Sequence, residues 1–166
     1  PNPNYMPVIV PHSKAEILHI LMSIPDPEIP VVNIVEMGMV SDIAIHETGY
    51  EILLTPTYTG CPAMGIIAAD IRAVLEKKGI HPVSVQLVYE PAWTTDSMTP
   101  EVKEKLRKYG IAPPVHSSCN MESFGLNEIP CPQCNSTDTV LLSRFGATAC
   151  KALYKCNDCK EPFEYF

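Results

Sequence analysis

Apolar positions recur along this chain with two different periods, and each change of period marks a new element. Ile17, Leu18, Leu21 and Met22 share one face of a 3.6-residue repeat, preceded by Ser13 and Glu16 at capping-box spacing, which predicts a helix over about 13 to 24. Pro25 and Pro27 end it. Val40 to Ile45 and Tyr50 to Thr55 are β-rich runs joined by His46-Glu47-Thr48-Gly49, which predicts a hairpin. A second helical pattern follows in Met64, Ile67, Ala68, Ile71, Val74 and Leu75 and closes at Gly79, with Pro62 expected at its first position. Val83, Val85, Leu87 and Tyr89 alternate as a third strand. Thr99-Pro100-Glu101 then opens a helix whose Val102, Leu106 and Tyr109 face inward before Gly110.

The order α-β-β-α-β-α predicts a two-layer α/β (α+β) domain over 13–110. Residues 1–12, with a proline-rich, aperiodic sequence, are expected as a flexible N-terminal arm. Residues 111–129 show no period and are expected as a linker. Residues 130–166 form the last unit, where Thr139 to Leu142 and Leu153 to Tyr154 can pair as strands beside Phe163, Tyr165 and Phe166. No internal repeat is visible.

That last unit is too short to fold on apolar burial alone, so it needs a staple. Its cysteines supply one: Cys131-Pro132-Gln133-Cys134 and Cys156-Asn157-Asp158-Cys159 are two pairs with 21 residues between them. Each two-residue gap lets a tight knuckle aim both sulfurs at one ion, and two knuckles complete a closed tetrahedron, which predicts a four-cysteine zinc ribbon with structural zinc. Redox CxxC pairs and a rubredoxin-like iron are the alternatives. Asn135 suits a left-handed turn after the first knuckle, and Lys160 suits the second less well. Seven cysteines in a chain expected in a reducing cytoplasm point to metal thiolates and free thiols rather than disulfides.

The net charge of −7 changes the picture of partners. Residues 1–128 hold 8 Lys/Arg against 15 Asp/Glu, and residues 129–166 hold 4 against 4, so no basic patch exists to neutralise phosphates, and no nucleic acid is expected. No stretch approaches the ~18 apolar residues of a membrane helix, and no charged-then-apolar leader is seen, so no membrane is expected and a cytoplasmic location is.

In the first domain Cys61 is the sharpest candidate for chemistry. It stands immediately before a helix expected to start at Pro62, where unpaired N–H groups and the helix dipole lower a thiol pKa and favour a metal ligand or nucleophile; the alternative is a small buried residue that caps the helix. Gly60 offers close approach to the backbone, and Thr55, Thr57 and Thr59 offer hydroxyls. Asp26 and Glu28 sit on the stiff frame Pro25-Asp26-Pro27-Glu28-Ile29-Pro30, able either to join Cys61 around a metal or to satisfy backbone N–H groups. Trp93, the single tryptophan, reads as a plug over the sheet with its indole N–H bonded nearby. His116 and Cys119 lie in the linker, as a transient metal site or a solvated thiol, and Cys150, between the knuckles, reads as packing or spare. No catalytic triad, phosphate loop or HExxH is present, so no self-contained enzyme is visible.

Asp26-Pro27-Glu28-Ile29-Pro30, Gly60-Cys61-Pro62 and the element order resemble the small iron-sulfur cluster assembly domain of SufT-type and cytosolic iron-sulfur targeting proteins. Thr55-Pro56-Thr57-Tyr58, Pro91-Ala92-Trp93-Thr94-Thr95-Asp96, Gly110-Ile111-Ala112-Pro113-Pro114 and Phe145-Gly146-Ala147-Thr148-Ala149-Cys150-Lys151 extend the resemblance to the PaaD family of accessory components of bacterial phenylacetyl-CoA epoxidase. The resemblance implies a maturation factor for that multicomponent ring oxygenase in aerobic phenylacetate degradation. Its first domain would handle iron or a transient iron-sulfur cluster, and its ribbon would dock a partner. It carries Asp26, Cys61 and Thr95, with Glu28 beside them, into family motifs, and Cys131, Cys134, Cys156 and Cys159 onto the ribbon ligands. Ser97 stands where the family pattern tends to have tryptophan, and residues 118–129 differ from its linker. The implied partners are the oxygenase and reductase components and iron-sulfur carrier proteins. The competing function is a zinc-ribbon scaffold that binds oxygenase components and passes no metal.

Overall fold

A computed structural model describes residues 12–115 and 129–166. The expected N-terminal arm up to residue 11, together with His116, Cys119 and most of the expected linker, lies outside the described residues. Helix α1 spans Lys14–Leu21, with the capping box formed as the sequence predicts: Ser13 Oγ accepts from Glu16 N–H, and the Glu16 carboxylate accepts from Ser13 N–H. It ends earlier than residue 24 because the Ser23 N–H turns back to the Ile20 carbonyl, an i→i+3 bond that tightens the last turn, and the Ser23 hydroxyl donates to the same oxygen.

Strands β1 (Val40–His46) and β2 (Gly49–Leu54) form the predicted hairpin, with a register shift between Val40 and Asp42. Helix α2 (Met64–Lys77) crosses over to β3 (Val83–Leu87), which pairs with β2 in parallel, so β2 is central in the three-stranded sheet. Tyr50, Ile52 and Leu54 alternate inward from β2 and meet Ile17 and Leu21 of α1 and Met64, Ile67, Ile71 and Leu75 of α2. β3 stops before Tyr89. The Val88 N–H bonds the carbonyl of Leu54, the last residue of β2, and beyond it the chain Thr55-Pro56 offers no further ladder.

Thr95–Ser97 is a short 3-10 turn, and α3 (Pro100–Tyr109) is capped by the Thr99 hydroxyl and closed by Gly110 at φ 96°. The earlier Gly38 is required twice over. Its φ is 69°, and a Cβ there would lie 2.5 Å from Ser97 Oγ. The small Ser97 side chain is thus pressed against the backbone of the segment that leads into β1.

The expected linker does not begin at residue 111. Ile111–Ala112 form β4, which pairs in parallel with β7 (Pro162–Tyr165), and β6 (Ala152–Cys156) and β5 (Thr139–Ser143) complete a sheet of order β4-β7-β6-β5. Phe166 then leaves the ribbon. Its side chain belongs to the core cluster of the first unit, with its ring edge-on to Trp93 at 5.6 Å, and its N–H donates to the Ala112 carbonyl. The ribbon keeps a second small core of Ala112, Ile129, Cys131, Tyr154, Cys156 and Phe163, in which Tyr154 stacks on Phe163.

Because Ile67 is fully buried between α2 and the central strand, Ile67→Ala removes packing that nothing nearby can refill. The expected cost is about 2–5 kcal/mol, read as a lowered denaturation midpoint with an unchanged slope.

Candidate functional site

The ribbon knuckles are built alike. The Asn135 N–H returns to the Cys131 carbonyl, the Cys131 N–H donates to the Ser136 carbonyl, and the Cys156 N–H donates to the Glu161 carbonyl. Asn135 (φ 61°) and Lys160 (φ 67°) both take the left-handed conformation that turns each knuckle. Lys160 holds it although lysine is poorly suited, and its ammonium donates to the Asn157 carbonyl.

The result is that all four sulfurs lie within 4.8 Å of one another, with Cys131 and Cys159 at 3.7 Å and Cys134 and Cys156 at 3.6 Å. A tetrahedron with ~2.3 Å metal–sulfur arms has edges of ~3.8 Å, so the donor set fits one zinc-sized, thiophilic ion with no open position. Cys131 and Cys156 are buried, whereas Cys134 and Cys159 are exposed. Four sulfurs this close cannot titrate independently. Burial raises Cys156, but the N–H groups of Cys159 and Asp158 and the neighbouring sulfurs outweigh it and bring that thiol to about 7. The Glu161 N–H lowers Cys159, while burial and the other three sulfurs push it up to about 12.

Cys61 is built into a different kind of site. Helix α2 begins at Met64 with Ala63 as its cap, so Pro62 lies in the turn ahead of the helix and not at its first position. No side-chain oxygen caps α2; the N–H groups of Ala63 and Met64 point at the Cys61 sulfur. The expected lowering of this thiol pKa does not result. Burial is the largest influence and raises it, the Ala63 N–H lowers it, the Glu28 and Asp26 carboxylates raise it, and the Met64 N–H lowers it; the balance is upward. Gly60 does not admit a close neighbour either, since the nearest atom to a Cβ there would be a Tyr58 ring carbon at an ordinary 3.8 Å. Thr57 lines the cavity beside Cys61, while the Thr55 hydroxyl is buried without a hydrogen-bond partner.

Asp26, Glu28, Thr57, Cys61, Cys150 and Phe166 line one small cavity floored by Met37 and Met39. Asp26 is already engaged there: its Oδ1 accepts from the N–H of Glu28 at 2.9 Å and of Ile29 at 2.8 Å, and its own N–H donates to the Val32 carbonyl. Its observed work is to fold the acidic loop. Glu28 is freer, with Oε2 accepting from the Cys150 thiol at 3.8 Å. Thr95 is not among the residues around Cys61; it starts the 3-10 turn. Trp93 donates its indole N–H to the Met37 carbonyl at 2.7 Å, as a plug should. Sequence reasoning missed Cys150, which it read as packing or spare. The Phe145–Lys151 motif that carried part of the resemblance holds it, and that was the available signal.

An iron-sulfur cluster assembly-type unit carrying a zinc β-ribbon is the class of protein that this fold and these sulfurs define. The PaaD zinc beta ribbon domain family matches residues 116–166, and the iron-sulfur cluster assembly protein family matches residues 14–89. Over 158 residues the chain is 49% identical to a putative 1,2-phenylacetyl-CoA epoxidase component of Escherichia coli (strain K12), covering 95% of this chain and 94% of the relative. It is 32% identical over 96 residues to an Fe-S protein maturation auxiliary factor of Porphyromonas gingivalis, covering 57% of this chain and 90% of the relative. Among solved structures, the DUF59 domain of unknown function from Bacillus anthracis superposes with a TM-score of 0.52 at 30% identity, over 56% of this chain and 90% of that one. The chain belongs to the PaaD family of phenylacetyl-CoA epoxidase components.

Two outcomes follow from this geometry. A metal held by the ribbon shields its sulfurs, so a thiol titration should find four more reactive cysteines after strong chelation than before. Asp26→Asn keeps an acceptor for the two loop N–H groups and should retain stability, whereas Asp26→Ala strands a buried donor and should cost about 1–3 kcal/mol in a denaturant titration.

Proposed function

We propose that this protein is an accessory factor of a phenylacetyl-CoA epoxidase system, which assists the delivery of iron, as an ion or within an iron-sulfur cluster, to an oxygenase component through Cys61. The observation that carries this reading is the cavity itself: a half-buried thiol, held against the first N–H groups of α2, faces the Glu28 carboxylate on a rigid loop. Family membership supplies the system, and the Porphyromonas gingivalis relative, described as an Fe-S protein maturation auxiliary factor, supports the cargo.

The two sulfur sites divide the work by how easily they let go. Cys131, Cys134, Cys156 and Cys159 are read as a resident zinc site that holds the ribbon folded, supported by sulfur separations that match a tetrahedron. Cys61 is read as the exchangeable site, because its thiol has a raised pKa and is protonated until a metal competes for the sulfur. The ribbon face is read as the surface that meets oxygenase components. No helix among the described residues is long and apolar enough to cross a membrane.

Cys61→Ala tests the reading. The variant should keep its fold by circular dichroism and its ribbon metal by elemental analysis, yet leave a reconstituted epoxidase system near background activity. Full epoxidase activity with the variant would reject metal handling by Cys61 and leave a scaffold that only joins components.

A further inference from the structure

Among the described residues, Cys150 is the nucleophilic group beside the site that the proposed function leaves unused, and the structure does not treat it as spare. The loop between β5 and β6 is fastened at several points before it reaches this residue. The Glu164 carboxylate accepts from the Ala147 N–H at 3.0 Å and from the Lys151 ammonium at 2.6 Å, Lys151 being 5% exposed. The Lys151 carbonyl accepts from the Gly146 N–H, and a Cβ at Gly146 would stand 2.9 Å from Glu164 Oε1 and 3.3 Å from the Lys151 carbonyl oxygen, so a larger residue there would press on the groups that fasten the loop. The loop thus fixed sends Cys150 out of the ribbon and against the core of the first unit. Its sulfur lies 3.1 Å from Thr148 Oγ1 and 3.8 Å from Glu28 Oε2, in the cavity that Cys61 lines.

We propose that Cys150 and Glu28 are, with Cys61, the ligands of a single ferrous-type ion, so that the cargo site is assembled across both units of the chain. This rests on the reading of Cys61 as an iron-handling thiol and extends it. Two thiols and a carboxylate are a donor set for a borderline-soft divalent ion. Asp26 is left out because its oxygen already serves two backbone N–H groups. The enclosed space measures about 10 Å³, room for about one water-sized sphere, which matches a single ion.

The donors stand looser than those of the ribbon. Among the described residues only the four ribbon cysteines bring three or more donor atoms within 4.8 Å of one another. Cys150 Sγ and Glu28 Oε2 already stand 3.8 Å apart, so binding must bring the Cys61 sulfur in toward them and displace a proton from each thiol, and both changes weaken the hold on the ion. Weak, closable coordination is what a site of transfer requires, in contrast to a structural one.

Anaerobic titration of the zinc-loaded full chain with ferrous iron alone tests this, in the presence of a thiol reductant that removes any disulfide. Wild type should bind one ion beyond the ribbon zinc. Since losing even an outer partner of a metal site costs about 10–100-fold in affinity, Cys61→Ser, Cys150→Ser and Cys150→Ala should each weaken the second ion at least about 100-fold, with ribbon zinc unchanged. Glu28→Gln should weaken it by a smaller factor. Cobalt in place of iron supplies a second readout, because the sulfur-to-metal absorption should fall by about half when either thiol is removed. If Cys61→Ser abolishes the second ion but both Cys150 variants bind it with wild-type affinity and absorption, the two-unit site is overturned and the Cys61 reading stands. If wild type binds no second ion, both are overturned.

Discussion

The seating of Phe166 in the core of the first unit is the contact on which the rest of this molecule depends. The ring meets Trp93 edge-on, the backbone N–H is tied to Ala112, and β4 joins β7 immediately before it. That wedge, together with the β4–β7 pairing and the Arg107 guanidinium on the Pro132 carbonyl, sets the position of the β5–β6 loop relative to Cys61. With it, a residue of one unit and a residue 122 positions earlier in the other share a cavity. The Trp93 indole, bonded to the Met37 carbonyl, carries the same contact down to the floor of that cavity. Aromatic packing at the wall of the cavity thus helps to decide which sulfurs share it.

The ribbon's own integrity follows a separate logic. Its apolar core is a handful of side chains, too few to offset the conformational entropy of ordering the strands. The four sulfurs close what the core cannot, and the two left-handed residues, Asn135 and Lys160, are held in that conformation by the knuckles. The strain of a lysine in the left-handed region is tolerable because the geometry around it is fixed by several backbone bonds and by the metal-ligand spacing.

Local signals were legible in the sequence, and contacts between distant segments were not. The Ser13–Glu16 capping box, the β1–β2 hairpin and the cysteine spacing are each written within a few residues, and each appears in the structure where the pattern puts it. β4 was hidden because two residues carry no period, and its partner β7 lies at the far end of the chain. The thiol pKa of Cys61 was misjudged because the helix terminus is visible in sequence while burial is not; burial wins, with two carboxylates adding to it. Cys150 escaped for the same reason as β4. Its neighbours in sequence are ribbon residues, but its neighbours in space are Glu28 and the Cys61 cavity, and the long-range docking of the ribbon through β4, β7 and Phe166 brings them together.

The ribbon tetrahedron has one dry pair of corners, Cys131 and Cys156, and one wet pair, Cys134 and Cys159. Oxidants and competing ligands reach the wet pair first, so any dismantling of the centre runs in a set direction, from the solvent side toward the small core. The inner sulfurs, packed among Tyr154, Phe163 and Ile129, are released last and are the first to be re-covered. Decay of the ribbon is therefore stepwise from one side, and a half-dismantled centre retains an anchored pair around which it can be rebuilt.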